Sequence, residues 1–140
     1  MTPGYGRGRV LGLDHGTRRV GIAISDALRL TAQPLEVVAS AKAVARVAAI
    51  VAEYEISEIV VGIPTSLDGK EGTPAAAARC FGSEVELATG IEATYVDERF
   101  TTVTAEKAML EAGAKRQVRR QSLDKVAAAI ILQGFLDRPL

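Results

Sequence analysis

The chain has 140 residues, with 17 basic and 17 acidic side chains, a formal net charge of zero and 48% hydrophobic residues. This length fits one domain with a single core and is too short for two lobes that close on a ligand. No signal peptide is recognisable, and no apolar run approaches the roughly 20 residues of a membrane helix. The single cysteine, Cys80, excludes an internal disulfide and a cysteine-rich zinc site. We expect a cytoplasmic protein that forms one domain over residues 1–140, with a flexible segment at 1–8 and no membrane partner.

The first half of the chain predicts three strands, a helix and a fourth strand. Residues 9–14 and 19–25 are short runs rich in Val, Ile and Leu around a glycine-containing turn, as in a β-hairpin. Residues 35–39 are a third candidate strand, and the apolar residues of 41–54 recur at the spacing of an amphipathic helix. Residues 57–64 form a nearly continuous apolar run that ends in proline, as expected of a strand covered on both faces.

The second half predicts a helix, a strand and two further helices. A Thr-Pro pair indicates the start of a helix over residues 73–88, and residues 91–98 alternate as in a strand. A threonine-capped helix follows over 101–113, and Ser122 starts the last helix after a basic loop. This order predicts an α/β fold whose mixed five-stranded sheet begins with an antiparallel hairpin and continues with parallel strands, flanked by helices.

Three carboxylates lie where apolar segments end or begin. Asp14 ends the first strand, Glu98 ends the fifth, and Asp124 lies in the predicted first turn of a helix that is apolar nearly all round. The carboxyl ends of parallel strands gather functional groups in open sheets. Converging carboxylates repel one another unless a divalent cation lies between them, and Mg²⁺ or Mn²⁺ prefers such oxygen ligands. A pair of these ions can assist phosphodiester hydrolysis, so the pattern predicts a nuclease.

The residues around Asp14 also allow a purely structural role. Its carboxylate could cap the following turn through the amides of Gly16 and Thr17. His15, the one histidine of the chain, could touch substrate. A single histidine without a fixed partner is more often a packing or turn residue, and we favour that interpretation.

The other two acids have structural alternatives as well. Asp97 and Glu98 could be ordinary strand-end acids paired with Arg99. Asp124 could satisfy backbone amides at the start of its helix. Each alternative is plausible alone, but three separate apolar segments that each end or start with an acid favour a shared role.

Basic residues concentrate near the N-terminus and over residues 115–125, which hold five cationic side chains against one aspartate. Such clusters suit phosphate contacts that position a backbone without reading sequence, or they are solvated loop charges. Three tyrosines, three phenylalanines and no tryptophan give little material for a base-stacking platform. The predicted nucleic-acid contacts are Arg18, Arg19, Lys70, Lys115, Arg116, Arg119 and Arg120.

Four segments resemble, in order, the corresponding segments of the YqgF family: LGLDHGTRRVGIAISD, VVGIPTSLDGKEGT, YVDERFTT and SLDKVAAAIIL. Members of this family are described as Holliday junction resolvases or pre-ribosomal-RNA nucleases. The resemblance covers residues 9–136 and implies a ribonuclease H-like fold. It also implies that Asp14, Glu98 and Asp124 bind metal and that Arg99 is a substrate or structural contact.

Together these observations predict a nuclease that depends on Mg²⁺ or Mn²⁺ and acts on structured nucleic acid. The resemblance implies the precursor of 16S ribosomal RNA as the first candidate substrate and a branched DNA junction as the second. A junction resolvase would need two active sites related by a two-fold axis, hence a homodimer. A non-catalytic nucleic-acid-binding module and an ATP-binding fragment of the actin and sugar-kinase type are the alternatives from other classes, although the length disfavours the fragment.

Overall fold

The computed structural model describes residues 8–65, 68–98 and 116–139, except for the side chains of residues 116–125. These parts of the chain contain five strands and three helices, which we number separately in chain order. The strands are β1 (Arg9–His15), β2 (Arg19–Ser25), β3 (Ala32–Ala39), β4 (Ile56–Ile63) and β5 (Ala93–Asp97). The helices are α1 (Ser40–Tyr54), α2 (Thr73–Thr89) and α3 (Arg116–Leu136).

The five strands form one mixed sheet in the order β3-β2-β1-β4-β5. The pairs β1–β2 and β2–β3 are antiparallel, whereas β1–β4 and β4–β5 are parallel. This arrangement confirms the predicted mixed sheet with an N-terminal hairpin. It also brings the last residues of β1, β3, β4 and β5 to one end of the sheet, which we call the carboxyl end.

Helices cover both faces of the sheet because successive strand residues point to opposite sides. On one face, Leu11 and Leu13 of β1 belong to a cluster that includes buried residues of α1 and α2. On the other face, Val10 belongs to a cluster with α3, which contributes Ala127, Ala128, Ile131, Leu132 and Phe135. We call these two surfaces the α2 face and the α3 face.

Two glycines let α3 lie very close to the centre of the sheet. A Cβ at Gly12 would lie 2.7 Å from the Cβ of Leu132, and a Cβ at Gly62 would lie 2.5 Å from Cδ1 of Ile131. Real Cβ atoms do not make such contacts, so a side chain at Gly12 would push the helix outward, and one at Gly62 would displace the end of the Ile131 side chain. The close approach of α3 to the sheet therefore depends on the absence of a side chain at Gly12 of β1 and at Gly62 of β4.

The last helix begins at Arg116, so the predicted start at Ser122 is wrong. The sequence between these residues contains Arg, Gln and Val and lacks Gly and Pro, and Arg and Gln have high helix propensity. The predicted basic loop is thus helical from Arg116 onward. Asp124 lies in the third turn rather than the first, which removes the helix-start role considered for it.

Smaller differences concern β3 and α2. Strand β3 begins three residues earlier than predicted and includes Pro34, which an edge strand tolerates because one side of it has no neighbouring strand in the sheet. The N-cap of α2 is Gly72 rather than Thr73, and no side chain caps it. Of the N-terminal segment predicted to be flexible, all but Gly8 lies outside the described residues, as does the predicted helix over 101–113.

Among the described helices, none combines the length and the apolar character needed to cross a bilayer.

Candidate active site

Asp14 and Glu98 are buried on the α3 face at the carboxyl end of the sheet. They are 5% and 9% exposed, and together with Ser25 they are the buried polar residues of the described core. Asp14 follows Gly12 on β1 by two residues and so points to the same face, toward α3. Glu98 directly follows β5, and its carboxylate turns back over β4. The sheet thus places two acids that are 84 positions apart in the chain on one surface.

Gly62 of β4 lies between the two acids. Leu13 is paired with Val61, so the next residues of the two parallel strands, Asp14 and Gly62, are neighbours at about 4.8 Å. A Cβ at Gly62 would lie 3.0 Å from Oε2 of Glu98. The space that a side chain would fill at Gly62 is therefore the space into which the Glu98 carboxylate reaches.

Asp124, the third predicted acid, belongs to α3, the helix that covers this face. It precedes Ala128 by one helical turn and Ile131 by two turns along the chain. Its side chain lies outside what the structure describes. Among the side chains that are described, no three His, Cys, Asp or Glu residues cluster as a metal site. Two of the three predicted acids are thus brought together, and the third has a described backbone only.

The turn after Asp14 bears on the capping alternative for that residue. The backbone amide of Gly16 donates to the carbonyl of Arg19 at 2.9 Å and closes the β1–β2 hairpin. Ser40, the first residue of α1, donates its hydroxyl to the carbonyl of Gly16 at 2.9 Å and its amide to the carbonyl of Arg18. One of the two amides that could donate to the Asp14 carboxylate, that of Gly16, therefore already donates within the hairpin.

The residues next to the two acids face the other side of the sheet. His15 packs its ring on Phe81 of α2, with ring centroids 4.9 Å apart and an interplanar angle of 32°. Burial lowers the pKa of His15, although the negative charge of Glu84 opposes this shift. His15 therefore has the packing role that its sequence context favoured. Asp97 accepts a hydrogen bond from the Thr65 hydroxyl at 2.5 Å.

Several predicted phosphate contacts lie near the same end of the sheet. Arg18 is exposed at the tip of the β1–β2 hairpin, and Arg19 is half-buried at the start of β2. Lys70 is exposed in the loop between β4 and α2, where its amide donates to the Asp68 carboxylate at 3.1 Å.

The remaining predicted contacts are located only in part. Arg116, Arg119 and Arg120 lie in the first turns of α3, with side chains outside the described structure. Arg99 and Lys115 lie outside the described residues altogether.

A polar cleft on the α2 face, of about 240 Å³, has no counterpart in the sequence analysis. It lies at the carboxyl end of the sheet, between the end of β5, the loop after β4 and the start of α2. Its lining residues are Ile63, Thr65, Gly69, Glu71, Arg79, Tyr95 and Asp97. No local motif links Glu71, Arg79 and Tyr95, because the first two are eight residues apart and the third is on another element. The alternation of β5 was the one signal that placed Tyr95 and Asp97 on a common face.

The fold resembles solved structures of junction-resolving nucleases. The structure of Thermus thermophilus RuvC in complex with a Holliday junction substrate superposes with a TM-score of 0.58 at 21% identity, covering 91% of this chain and 92% of RuvC. The fowlpox virus Holliday junction resolvase gives a TM-score of 0.53 at 12% identity, covering 92% of this chain and 98% of that protein. With acidic residues at the carboxyl end of a mixed sheet, the molecule has the fold of the ribonuclease H-like nucleases. Nucleases of this class are in general hydrolases that act on nucleic acid with divalent metal ions.

Sequence relatives specify the family. The family model RuvX, described as Holliday junction resolvase, matches residues 8–138, and the chain belongs to this family. A Lactococcus lactis subsp. cremoris protein is 42% identical over 134 residues, covering 92% of this chain and 94% of the relative. A Moorella thermoacetica protein is 43% identical over 133 residues, covering 93% and 95%. Both relatives carry the name "Putative pre-16S rRNA nuclease". The chain is thus a nuclease of the RuvX family, which is the family that its sequence motifs indicated under the name YqgF.

Proposed function

We propose that this nuclease hydrolyses phosphodiester bonds in the precursor of 16S ribosomal RNA, with Mg²⁺ or Mn²⁺ held by Asp14, Glu98 and Asp124. One observation carries the proposal: two buried carboxylates share the α3 face, and a glycine leaves space between them. Relatives that match nearly the whole chain at more than 40% identity and bear the name of a 16S precursor nuclease support the choice of RNA.

The residues present suit a divalent cation. Burying a carboxylate is costly unless hydrogen bonds or a cation compensate its charge, and here two carboxylates are buried on the same face of the sheet. Carboxylate oxygens are the ligands that Mg²⁺ and Mn²⁺ prefer. Asp124 would add a third such ligand from the helix that covers this face, since it precedes the packed residues Ala128 and Ile131 by whole turns.

Each protein element has a defined task in this mechanism. The strands β1 and β5 hold Asp14 and Glu98 at fixed positions, because both strands are hydrogen-bonded within the sheet. Helix α3 packs on Gly12 and Gly62 and shields the carboxylates from bulk water, which strengthens their attraction for cations. Bound divalent ions would activate a water molecule and stabilise the leaving oxygen of the phosphodiester.

Basic side chains around this end of the sheet would hold the RNA backbone. Arg18 and Arg19 on the hairpin lie closest in sequence to Asp14, and Lys70 lies in the loop after β4. We assign the same role to the remaining basic residues of the sequence prediction, Arg99, Lys115, Arg116, Arg119 and Arg120. Contacts of this kind position the substrate and weaken with added salt.

The direct test is cleavage of two labelled substrates by the purified protein, with Mg²⁺, with Mn²⁺ and with a chelator. One substrate is a precursor RNA that extends beyond the ends of 16S RNA, and the other is a synthetic four-way DNA junction. We expect metal-dependent cleavage of the RNA, its loss in Asp14→Asn and its retention in the surface variant Asp137→Asn.

Cleavage of the DNA junction alone would replace RNA by branched DNA as the substrate and would call for a homodimer with two active sites. Binding of either substrate without cleavage under any metal would contradict the nuclease mechanism and favour a binding module.

A further inference from the structure

The guanidinium group of Arg79 on the α2 face contacts two partners, Glu71 and Tyr95. Its Nε and Nη2 donate to the two carboxylate oxygens of Glu71 at 2.8 and 2.7 Å. Its Cζ lies over the ring of Tyr95, 4.9 Å from the ring centroid. The Arg79 side chain is nevertheless 48% exposed. We call the three residues Glu71, Arg79 and Tyr95 the guanidinium platform.

Tyr95 is itself fixed against α2. Its hydroxyl donates to the carbonyl of Arg79 at 3.3 Å, and a Cβ at Gly82 would overlap this hydroxyl. The ring can take this position only because residue 82 is a glycine. The guanidinium of Arg79 therefore lies over a ring that the helix backbone positions, and Glu71 holds it there through two hydrogen bonds.

The platform borders the polar cleft next to the candidate active site. Asp97 lines the cleft, and the following residue, Glu98, is one of the acids on the opposite face. Consecutive Cα atoms are about 3.8 Å apart, so a nucleic-acid strand that passes the carboxyl end of the sheet can reach both sites.

The charge and size of the cleft favour a nucleobase over a phosphate group. Two carboxylates, Glu71 and Asp97, face one guanidinium, so the lining is net negative. The volume of about 240 Å³ is below the roughly 300–1,000 Å³ of sites for drug-sized ligands, which suits one base rather than a duplex. Planar guanidinium groups stack on unpaired bases in RNA complexes.

We infer that the guanidinium platform stacks on an unpaired base of the RNA next to the cleaved bond, and that the cleft accommodates this base. This inference rests on the proposed function for its ligand, but its test measures binding and not cleavage. The platform supplies the stacking surface that the low aromatic content of the chain had argued against. It makes the enzyme prefer substrates with a single-stranded nucleotide beside the active site.

The test uses an Asp14→Asn background, so that binding is measured without cleavage. The probe is a fluorescein-labelled RNA hairpin with a single-stranded tail, compared with the same hairpin without a tail and with tails that carry one abasic nucleotide in turn. Fluorescence anisotropy gives the affinity, and its salt dependence reports the number of phosphate contacts. The variants are Arg79→Ala and Arg79→Lys, with circular dichroism as a check of folding.

Arg46→Ala is the matched control. Arg46 makes the same bidentate ion pair with Glu36, in which its Nε and Nη2 donate to the two carboxylate oxygens at 2.9 and 2.7 Å. That pair involves β3, at the opposite edge of the sheet from β5, roughly four strand spacings or 19 Å away. A merely structural ion pair would make the two alanine variants equivalent.

We expect both Arg79 variants to bind the tailed hairpin about tenfold more weakly, with an unchanged salt slope and unchanged binding of the tailless hairpin. With Arg79 intact, an abasic nucleotide at one tail position should weaken binding by the same factor. Once Arg79 is replaced, the same abasic nucleotide should cause no further loss of affinity. Arg46→Ala should bind as the background does.

Three results would overturn the inference. The first is full affinity in Arg79→Lys together with a reduced salt slope in Arg79→Ala. The second is an equal loss of affinity in Arg46→Ala. The third is a tail in which no abasic position weakens binding. If the wild-type protein cleaves precursor RNA while the Arg79 variants bind normally, only the platform is refuted. If it neither binds nor cleaves RNA, the proposed function falls as well.

Discussion

The two faces of the sheet differ sharply at its carboxyl end. On the α3 face, two acids are buried beneath a helix and a glycine separates them. On the α2 face, the charged groups are exposed and paired, and they border an open polar cleft. Burial suits groups that must hold cations strongly, whereas exposure suits groups that must meet a varied polymer. One end of the sheet can therefore separate hydrolysis from substrate recognition.

Strand alternation produces this separation within adjacent residues. Asp97 and Glu98 are neighbours in the chain, yet Asp97 lines the cleft and Glu98 reaches over Gly62 toward α3. Asp14 and His15 divide in the same way, because His15 packs on Phe81 of α2. A pair of adjacent polar residues at a strand end thus points to two different faces of the sheet.

The largest expected effect comes from neutralising Asp97 and Glu98 one at a time and comparing the cleavage rates of the two variants. Glu98→Gln should lower the cleavage rate about 10²–10³-fold, because the neutral amide is a poor ligand for a divalent cation and a poor stabiliser of developing charge. Asp97→Asn should change the rate less than tenfold and act mainly on substrate binding. Steady-state kinetics with the labelled precursor RNA measures both, and equal losses of rate would remove the distinction between the faces.

A second prediction concerns the space between the acids. Gly62→Ala places a Cβ against Ile131 and the Glu98 carboxylate, so we expect overpacking to destabilise the fold by about 1–3 kcal/mol. Ile131→Ala removes the opposing side chain and should cost about 2–5 kcal/mol as a cavity mutation. In the double variant the two losses should be less than additive, since the smaller residue relieves the clash. Chemical denaturation tests this, and strict additivity would mean that Gly62 and Ile131 do not interact.

The smallest effect concerns the acid of the platform. The hydrogen bonds from Arg79 lower the pKa of Glu71, and Arg46 does the same to Glu36. A carboxylate whose pKa is lowered in the fold contributes stability above its unfolded pKa and loses it as the pH falls through the folded value. Both contributions are small because solvent screens these ion pairs, one of which is exposed and the other partly exposed.

Carboxyl resonances in NMR titrations should show both glutamates below their usual pKa, and Arg79→Ala should return Glu71 alone to its ordinary value. A Glu71 pKa that does not respond to Arg79→Ala would show that the platform does not form in solution.

The sheet and two of its acids were predictable because their signals are local. Short β-branched runs predicted the strands, and the positions of Asp14 and Glu98 after such runs predicted where both acids lie. The start of α3 was not predictable from the capping preference of Ser122, because the helix propensity of the preceding Arg and Gln residues prevailed. Capping rules indicate where a helix can begin but do not exclude an earlier start.

The remaining features depend on contacts between distant residues. Pairing of β1 with β4 joins Leu13 to Val61, and this long-range register makes Gly62 the neighbour of Asp14. From sequence alone Asp97 and Glu98 were a pair of strand-end acids, because the helix that covers each face of the sheet is set by tertiary packing. The platform joins Glu71, Arg79 and Tyr95 through tertiary packing alone, so no sequence pattern predicted it.

The central claim is that Asp14 on β1, Glu98 directly after β5 and Asp124 on α3 hold the same divalent ions, and metal binding tests it most directly. Titration calorimetry with Mn²⁺ should show binding by the wild-type protein and by the control Asp137→Asn. We expect binding at least tenfold weaker in Asp14→Asn, Glu98→Gln and Asp124→Asn, each with unchanged circular dichroism. Wild-type affinity for Mn²⁺ in any of these three variants would contradict a shared metal site.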